Sequence, residues 1–431
     1  MEYYSTDGHD SKVSLREAVM RSLAPDGGVY MPCSIPLIPS ALFKNMDEMS
    51  ACDIAYVMCT QLFGTDIEPS LINSIVRSTL NFPIPLVDMG DNRYALELYH
   101  GPTESFKDVS ARFLAQLCKY FTAQNPKDRK LNVLLASTGD TGNAVTDAFK
   151  GIDTVNVFVL YPHKGVLKER LGNPTKKSGN IIPIIVNSDF DHCRELIRQA
   201  FTDTTLNRRF ALTSANSVNI GRLLPQTFYY FYAYGQLTAK LGHRISGFTV
   251  STPCGNLGNL TAAIFARAMG LPINRFIATG TSDNGLWGEI TGNTLQLSDY
   301  HAKALTSNIG RINRLMELDP SLPGKIECHT YGSDEIAETI RKRFKSDSYL
   351  MDRNTAMACR ALDSVSTSAD YPGLFLATAS PRKYYSKLSR ILGYETEEPE
   401  HVHETAPHHL PHLTTIPPTL AALTKLIEKY N

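Results

Sequence analysis

The chain has 431 residues, 42% of them hydrophobic and 20% charged, a composition of an ordinary globular protein with a large core and room for two or three domains. Lys plus Arg and Asp plus Glu balance at 43 each, which argues against a nucleic-acid groove or an anionic membrane surface and for a small-molecule partner. The cysteines lie scattered, with no CxxC pair and no His at finger spacing, which disfavours a zinc site and a disulfide scaffold and suits a reducing compartment. With no basic segment followed by an apolar run at the start, and no stretch of about 18 apolar residues, the expected location is cytoplasmic.

Residues 1 to about 90 mix short helical patterns with Pro and Gly punctuation, as in SLAPDGGVYMPCSIPLIPS, and read as a mostly helical lead-in module. YALELY (94 to 99) reads as a strand. Gly101 and Pro102 break it, and Thr103 or Ser105 can cap a following helix that opens around Lys107. Next come NVLLAST (132 to 138), VNVFVLYP (155 to 162), NIIPIIVN (180 to 187) and GFTVSTP (247 to 253), short β-branched or apolar runs ending in turn residues. Helical stretches such as GNAVTDAFKG and CRELIRQAF separate them, and GLFLATASP (373 to 381) adds one more buried strand. That alternation predicts an α/β fold with open, mostly parallel sheets and crossover helices. The tail EPEHVHETAPHHLPHL (398 to 413) is broken by prolines at irregular spacing and reads as a surface linker, not a metal site.

Three features carry chemistry. Lys107 stands at a strand–turn–helix junction, the carboxyl end of a sheet where α/β folds place their sites. A lysine made neutral by desolvation or a nearby cation forms Schiff bases with carbonyls. In STPCGNLGNLTAAIFA (251 to 266), Gly255 and Gly258 let the backbone turn its amides inward, and the helix from about Leu260 adds its positive end, a cradle for an anion. Without Lys-Ser/Thr after the glycines, or GxGxxG, a nucleotide is disfavoured and a phosphate monoester remains. In ASTGDTGNAV (136 to 145), the hydroxyls of Ser137, Thr138 and Thr141 with helix-start amides make a seat for a carboxylate. Asp140 is unexpected there, unless it holds the loop's own amides or faces a cation. A lysine, a phosphate cradle and a carboxylate cradle together point to pyridoxal 5'-phosphate (PLP) acting on an amino acid.

The chain resembles the threonine synthases of the long form. The likeness runs through YYSTDGHDSKVSLREAVMRSLAPDGGVYMP, ELYHGPTESFKDVSARFLAQL, STGDTGNAV, LTSANSVNIGRLLPQTFYYFYAY, TPCGNLGNLTAAIFA and FLATASPRKY, in that order. It implies the tryptophan-synthase-beta-like PLP fold (fold type II), with an N-terminal domain over 1–90, a large PLP domain over 91–129 and 225–431, and a small mobile substrate domain over 130–224. By the same resemblance Lys107 holds the cofactor, Gly255, Asn256, Leu257, Gly258 and Asn259 bind its phosphate, and Thr378 faces the ring nitrogen. A threonine hydroxyl does not enforce a protonated ring, so Lys107 is needed as proton shuttle. Ser137, Thr138, Asp140 and Thr141 fall in the substrate loop. Arg222, with Lys164, Lys168 and Arg112 as further candidates, is offered to the substrate phosphate.

The implied reaction converts O-phospho-L-homoserine and water to L-threonine and phosphate, by a monomer or homodimer with no metal. Several positions depart from the family pattern. LYPHKGVLKER (160 to 170) lacks the later Ser and Gln, SNIGR (307 to 311) has Gly310 where the family has glutamate, and DRNTA (352 to 356) has Asn354 where it has histidine. TASPRKY stands for TAHPAKF and TGTSDN for TNxND. These departures support an alternative, a related phospho-lyase giving 2-oxobutyrate.

Overall fold

The computed structural model describes residues 1–8, 12–124, 129–137, 139–163, 179–282, 288–291, 294–297, 308–394 and 414–431. The chain forms two compact units: Met1, Pro32–Phe106 and Leu223–Glu397 make one, and Glu2–Met31, Lys107–Arg222 and Glu398–Asn431 the other.

The second unit is built on five parallel strands: β6 (Leu131–Ala136), β7 (Val155–Pro162), β8 (Ile181–Val186), β9 (Ala211–Ser214) and β16 (Thr414–Ile416). They pair in the order β16-β8-β7-β6-β9. All eight residues of β7 are buried, which explains why VNVFVLYP shows no polar alternation: helices cover both faces of the sheet. Helices α7 (Phe190–Thr202) and α8 (Thr204–Arg209) and the C-terminal helix Leu420–Tyr430 enclose one apolar core with Phe158, Leu160, Ile182 and Ile184. Each large side chain fully buried in this way stabilises the fold by about 1.5–3 kcal/mol. Helices α5 (Lys107–Ala123) and α6 (Asp140–Phe149) pack on each other and on β7.

The N-terminal residues of this unit contribute β1 (Glu2–Ser5), β2 (Val13–Ser14) and β3 (Tyr30–Pro32), which form a small sheet ordered β2-β1-β3, the last residue of β3 belonging to the first unit. Helix α1 (Leu15–Arg21), capped by Ser14, packs on α5 and β9. Its end is tied to β9 and to the chain just beyond it: Thr213 and Asn219 both donate to the carbonyl of Val19, at 3.0 and 2.9 Å.

The first unit carries six strands: β4 (Leu86–Asp88), β5 (Arg93–Glu97), β10 (Phe248–Pro253), β11 (Ile273–Thr281), β14 (Ile326–Tyr331) and β15 (Gly373–Ala377). Their sheet is ordered β14-β11-β10-β15-β5-β4 and is parallel except at the edge strand β4. A separate hairpin pairs β12 (Gly288–Thr291) with β13 (Thr294–Leu297). Helices α2 (Ser40–Asn45), α3 (Ala51–Phe63) and α4 (Pro69–Thr79) precede the sheet. Later come α10 (Phe228–Leu241) and α11 (Gly258–Ala268), with α9 (Ile220–Leu223) where the chain passes between units. A core of Ala95, Ile277, Ile336, Met357, Leu362 and Phe375 backs this sheet.

The grouping differs from the expected 1–90, 91–129 with 225–431, and 130–224. Strand β16 pairs with β8, so the C-terminal segment belongs with the five-stranded sheet, as do residues 2–31 and α5. The tail 398–413 lies outside the described residues. No helix among the described residues is long and apolar enough to cross a membrane.

Candidate active site

The segment before Lys107 is fixed by the strand end it meets. Strands β5 and β15 run parallel to Glu97 and Ala377, and the chain then turns through Glu104, a non-glycine residue at φ 53°. Ser105 bridges Ala379, the Phe106 N–H donates to Thr378 O at 2.9 Å, and the Ser380 N–H donates to Glu104 O at 3.1 Å. Lys383 Nζ donates to Thr103 O at 2.9 Å. The next residue, Lys107, opens α5. Thr103 and Ser105, read from sequence as helix caps, thus take part in a clamp against the TASP turn.

Thr378 is buried, and its N–H donates to Thr355 Oγ1 at 3.3 Å. Thr355 Oγ1 in turn donates to the carboxylate of buried Asp352, which caps the helix Arg353–Asp363 by accepting from the amides of Thr355 and Asn354 at 3.2 and 3.0 Å. Asn354 is exposed on that first turn.

The second glycine loop follows β10. The left-handed position falls on Leu257, at φ 58°, not on Gly258, and the helix begins at Gly258, not near Leu260. Among the described residues no side chain caps α11, so its first amides lack a side-chain acceptor, an arrangement that suits an anion. Among the described residues, and apart from its own chain neighbours, nothing lies within 4 Å of where a Cβ on Gly255 would stand. The loop is held at both ends. Tyr229 Oη donates to Asn259 Oδ1 at 2.9 Å and Tyr230 Oη to Asn259 O at 2.8 Å. At the other end Asn308 Nδ2 donates to Asn256 O at 2.9 Å, and Arg311 Nη1 donates to Asn308 Oδ1 at 2.6 Å. Arg311 is fully buried, and burial pushes its pKa down to about 9, which leaves it cationic at neutral pH. Tyr229, Tyr230, Asn308, Arg311, Asp352 and Thr355 escape sequence reading. The signal was present in SNIGR and DRNTA, where polar residues stand beside apolar helix positions.

The first glycine loop belongs to the second unit. Ser137 is buried, and its Oγ accepts from the amides of Gly142 and Gly139 at 2.8 and 3.2 Å. A Cβ on Gly142 would stand 2.8 Å from that Oγ, so glycine is required for the hydroxyl to reach the helix start. Ser137 therefore braces its own loop, where a substrate carboxylate ligand was expected. Thr141 is partly exposed on the first turn of α6, and Thr138 lies outside the described residues. Asp140 Oδ2 stands 3.6 Å from Lys107 Nζ, so the carboxylate does face a cation.

Arg222 does not stand open to a ligand. It is 3% exposed, its Nη2 and Nε donate to Ser110 Oγ at 2.9 and 3.2 Å, and its Nη1 donates to Ala215 O. Burial lowers its pKa to about 10, against the opposing charge of Asp108. Arg112 is partly exposed on α5, and Lys164 and Lys168 lie outside the described residues.

The chain is similar to known proteins over its whole length. The family described as "Threonine synthase N terminus" matches residues 2–80. The threonine synthase of Haemophilus influenzae is 33% identical over 410 residues, covering 93% of each chain. That of Escherichia coli K12 is 32% identical over 442 residues, covering 100% of each. The crystal structure of the Escherichia coli threonine synthase superimposes with a TM-score of 0.84 at 31% identity over 100% of both chains. The PLP-bound threonine synthase of Brucella melitensis gives 0.83 at 26% identity, over 100% of this chain and 99% of that one. The fold is thus the α/β fold type II of PLP-dependent enzymes, and the chain belongs to the threonine synthase family.

Proposed function

We propose that the protein is a PLP-dependent carbon–oxygen lyase that converts O-phospho-L-homoserine and water to L-threonine and phosphate. The observation that carries the reading is the clamp of residues 104–106 on 378–380, which sets Lys107 one peptide bond beyond a residue bonded to Thr378. The residues present fit the cofactor. Uncapped amides at the start of α11, with open space at Gly255, suit a phosphate monoester, and Thr378 offers a neutral hydroxyl at a strand end. In this reading Gly255, Asn256, Leu257, Gly258 and Asn259 bind the phosphate, Lys107 the aldehyde, and Thr378 the ring nitrogen.

Bound there, PLP supplies an electron sink for negative charge developed at the amino acid's carbons. The protein's own residues do the rest. Lys107 Nζ, as a free amine, takes the α proton and, once that proton has passed to the phosphate, takes a β proton, which it returns to the α carbon after water has added. The bond from the γ carbon to oxygen breaks with its electron pair leaving on phosphate. A water gives its hydroxyl to the β carbon and a proton to the γ carbon. Thr141 and the amides at the start of α6 that Ser137 does not take hold the substrate carboxylate. Arg222, cationic at neutral pH, contributes positive potential for the leaving phosphate. We place the enzyme in the cytoplasm as a monomer or homodimer, in keeping with its balanced charge and free cysteines.

A second reading, a phospho-lyase releasing 2-oxobutyrate, draws on Gly310 and Asn354, where the family's charged or ionisable side chains are replaced. The cofactor assignment is tested by borohydride reduction of the PLP-treated protein and peptide mapping. The label is expected on Lys107 and absent from the Lys107→Ala protein; a label on another lysine contradicts it.

A further inference from the structure

The start of α6 attracts a substrate anion, so a resident carboxylate at its first position competes with that role. Asp140 nevertheless stands there, with its Oδ2 3.6 Å from Lys107 Nζ and side-chain exposures of 17% and 24%. Both ends of the pair are fixed within one unit. Lys107 opens α5, Asp140 opens α6, and the two helices pack together. Ser137 Oγ, holding the amides of Gly139 and Gly142, sets the turn on which Asp140 sits.

We propose that Asp140 is a positioning residue for Lys107: its carboxylate is the counter-ion that orients the lysine nitrogen and favours its protonated form. The inference rests on the reading of Lys107 as the cofactor-bearing lysine, and it gives Asp140 a role other than substrate ligand. A carboxylate at this distance stabilises the charged form of a nitrogen. When Lys107 Nζ has taken a proton from the substrate, Asp140 holds the resulting ammonium in place until the proton is returned to carbon. The carboxylate itself stays ionised throughout.

Other ionisable groups stand on the elements packed here. They are Asp108, Arg112, Cys118, Lys119 and Tyr120 on α5, Asp147 on α6, Tyr161 on β7, and Arg16, Glu17 and Arg21 on α1. Asp108 acts on Arg222, Glu17 pairs with Arg21 at 2.8 Å, and burial holds Tyr161 neutral. Neutralising Asp140 removes one charge and leaves these groups in place.

The test is a pH titration of the visible absorbance band of the PLP-loaded protein, for wild type, Asp140→Asn, Asp140→Ser and Asp140→Glu. The midpoint at which the lysine-linked nitrogen loses its proton is expected to fall by about one pH unit in the two neutral variants. Asp140→Glu, which keeps the charge, is expected to return most of that shift. A neutral variant that folds with the wild-type thermal midpoint but forms no band, while Asp140→Glu forms it, also supports the proposal. Unchanged midpoints in the neutral variants overturn it. So does an equal shift in all three variants, which would mark a distorted loop and not a lost charge. A wild-type protein that forms no band with PLP sinks the cofactor reading itself, so the two failures are distinguishable.

Discussion

The amide of Phe106 donates to the carbonyl of Thr378 at 2.9 Å, joining the turn before α5 to the turn after β15. One hydrogen bond would not hold such a join. The Ser105–Ala379 bridge and the Ser380–Glu104 bond repeat it on both sides, and on the other side of Thr378 its own amide bonds Thr355. Lys107 is therefore carried by a segment whose position depends on the strand end that bears Thr378.

Replacing Thr355 with Val tests that dependence. The hydroxyl is lost both as acceptor for the Thr378 amide and as donor to buried Asp352. The expected cost is about 1–3 kcal/mol of stability, because a buried carboxylate loses a partner. A lowered denaturation midpoint and a shifted visible spectrum of the PLP-loaded variant are expected. Wild-type values for both would show that Thr378 is held by other means.

Gly142→Ala addresses the carboxylate loop. The added methyl would meet Ser137 Oγ at 2.8 Å and Ser137 Cβ at 2.9 Å, so the serine must move from the helix start. Overpacking of this kind costs about 1–3 kcal/mol. If the loop seats the substrate carboxylate as proposed, the KM is expected to rise, and kcat is expected to fall with it because Ser137 also sets the turn that carries Asp140. Steady-state kinetics with both parameters resolved decides it, and a variant changed in kcat alone would place the loop elsewhere in the reaction.

Asn308→Ala removes the side chain that links Arg311 to the Asn256 carbonyl. Losing one such bond beside a buried cation is worth about 1–2 kcal/mol, or roughly tenfold in cofactor affinity. A PLP titration of the cofactor-free protein measures this. Unchanged affinity would mean that the loop keeps its shape without the brace.

Local signals in the sequence located elements and turns, while pairings between distant segments left no local trace. VNVFVLYP coincides with β7 residue for residue, because a strand covered on both faces is a continuous apolar run. Lys107, the two glycine loops and Thr378 could be singled out because turn residues mark where strands hand over to helices. Nothing local in TTI (414 to 416) says that it pairs with β8, and SVNIGR does not reveal that Arg222 turns inward to Ser110. The left-handed position in GNLGN falls on Leu257 despite glycine on either side of the NL pair, since the helix takes Gly258 as its first residue.

The thiols give a prediction for high pH. Burial raises Cys118, Cys193 and Cys359 from 9.0 to about 12, so the folded protein keeps protons there that the unfolded chain releases near 9.0. Folded-state pKa values above the unfolded ones mean stability that is fully present below pH 9.0 and is lost as pH climbs toward about 12. Denaturation midpoints should fall over that window. At pH 8, alkylation followed by mass spectrometry should label exposed Cys33 well before these three. Labelling of Cys118 as fast as Cys33 would contradict its burial.

The central claim, that this chain makes threonine, turns on the step after phosphate loss: addition of water at the β carbon, or release of an enamine that hydrolyses to 2-oxobutyrate. A difference of about 1.4 kcal/mol between these barriers changes the product ratio tenfold. Gly310 and Asn354 are among the positions that depart from the family pattern, and Asn354 is exposed on its helix turn. The direct measurement is incubation of the PLP-loaded enzyme with O-phospho-L-homoserine and quantification of phosphate, threonine and 2-oxobutyrate. Phosphate release matched mainly by threonine, with a minor oxo-acid fraction, is predicted; 2-oxobutyrate in excess of threonine, or no phosphate release at all, would contradict the account.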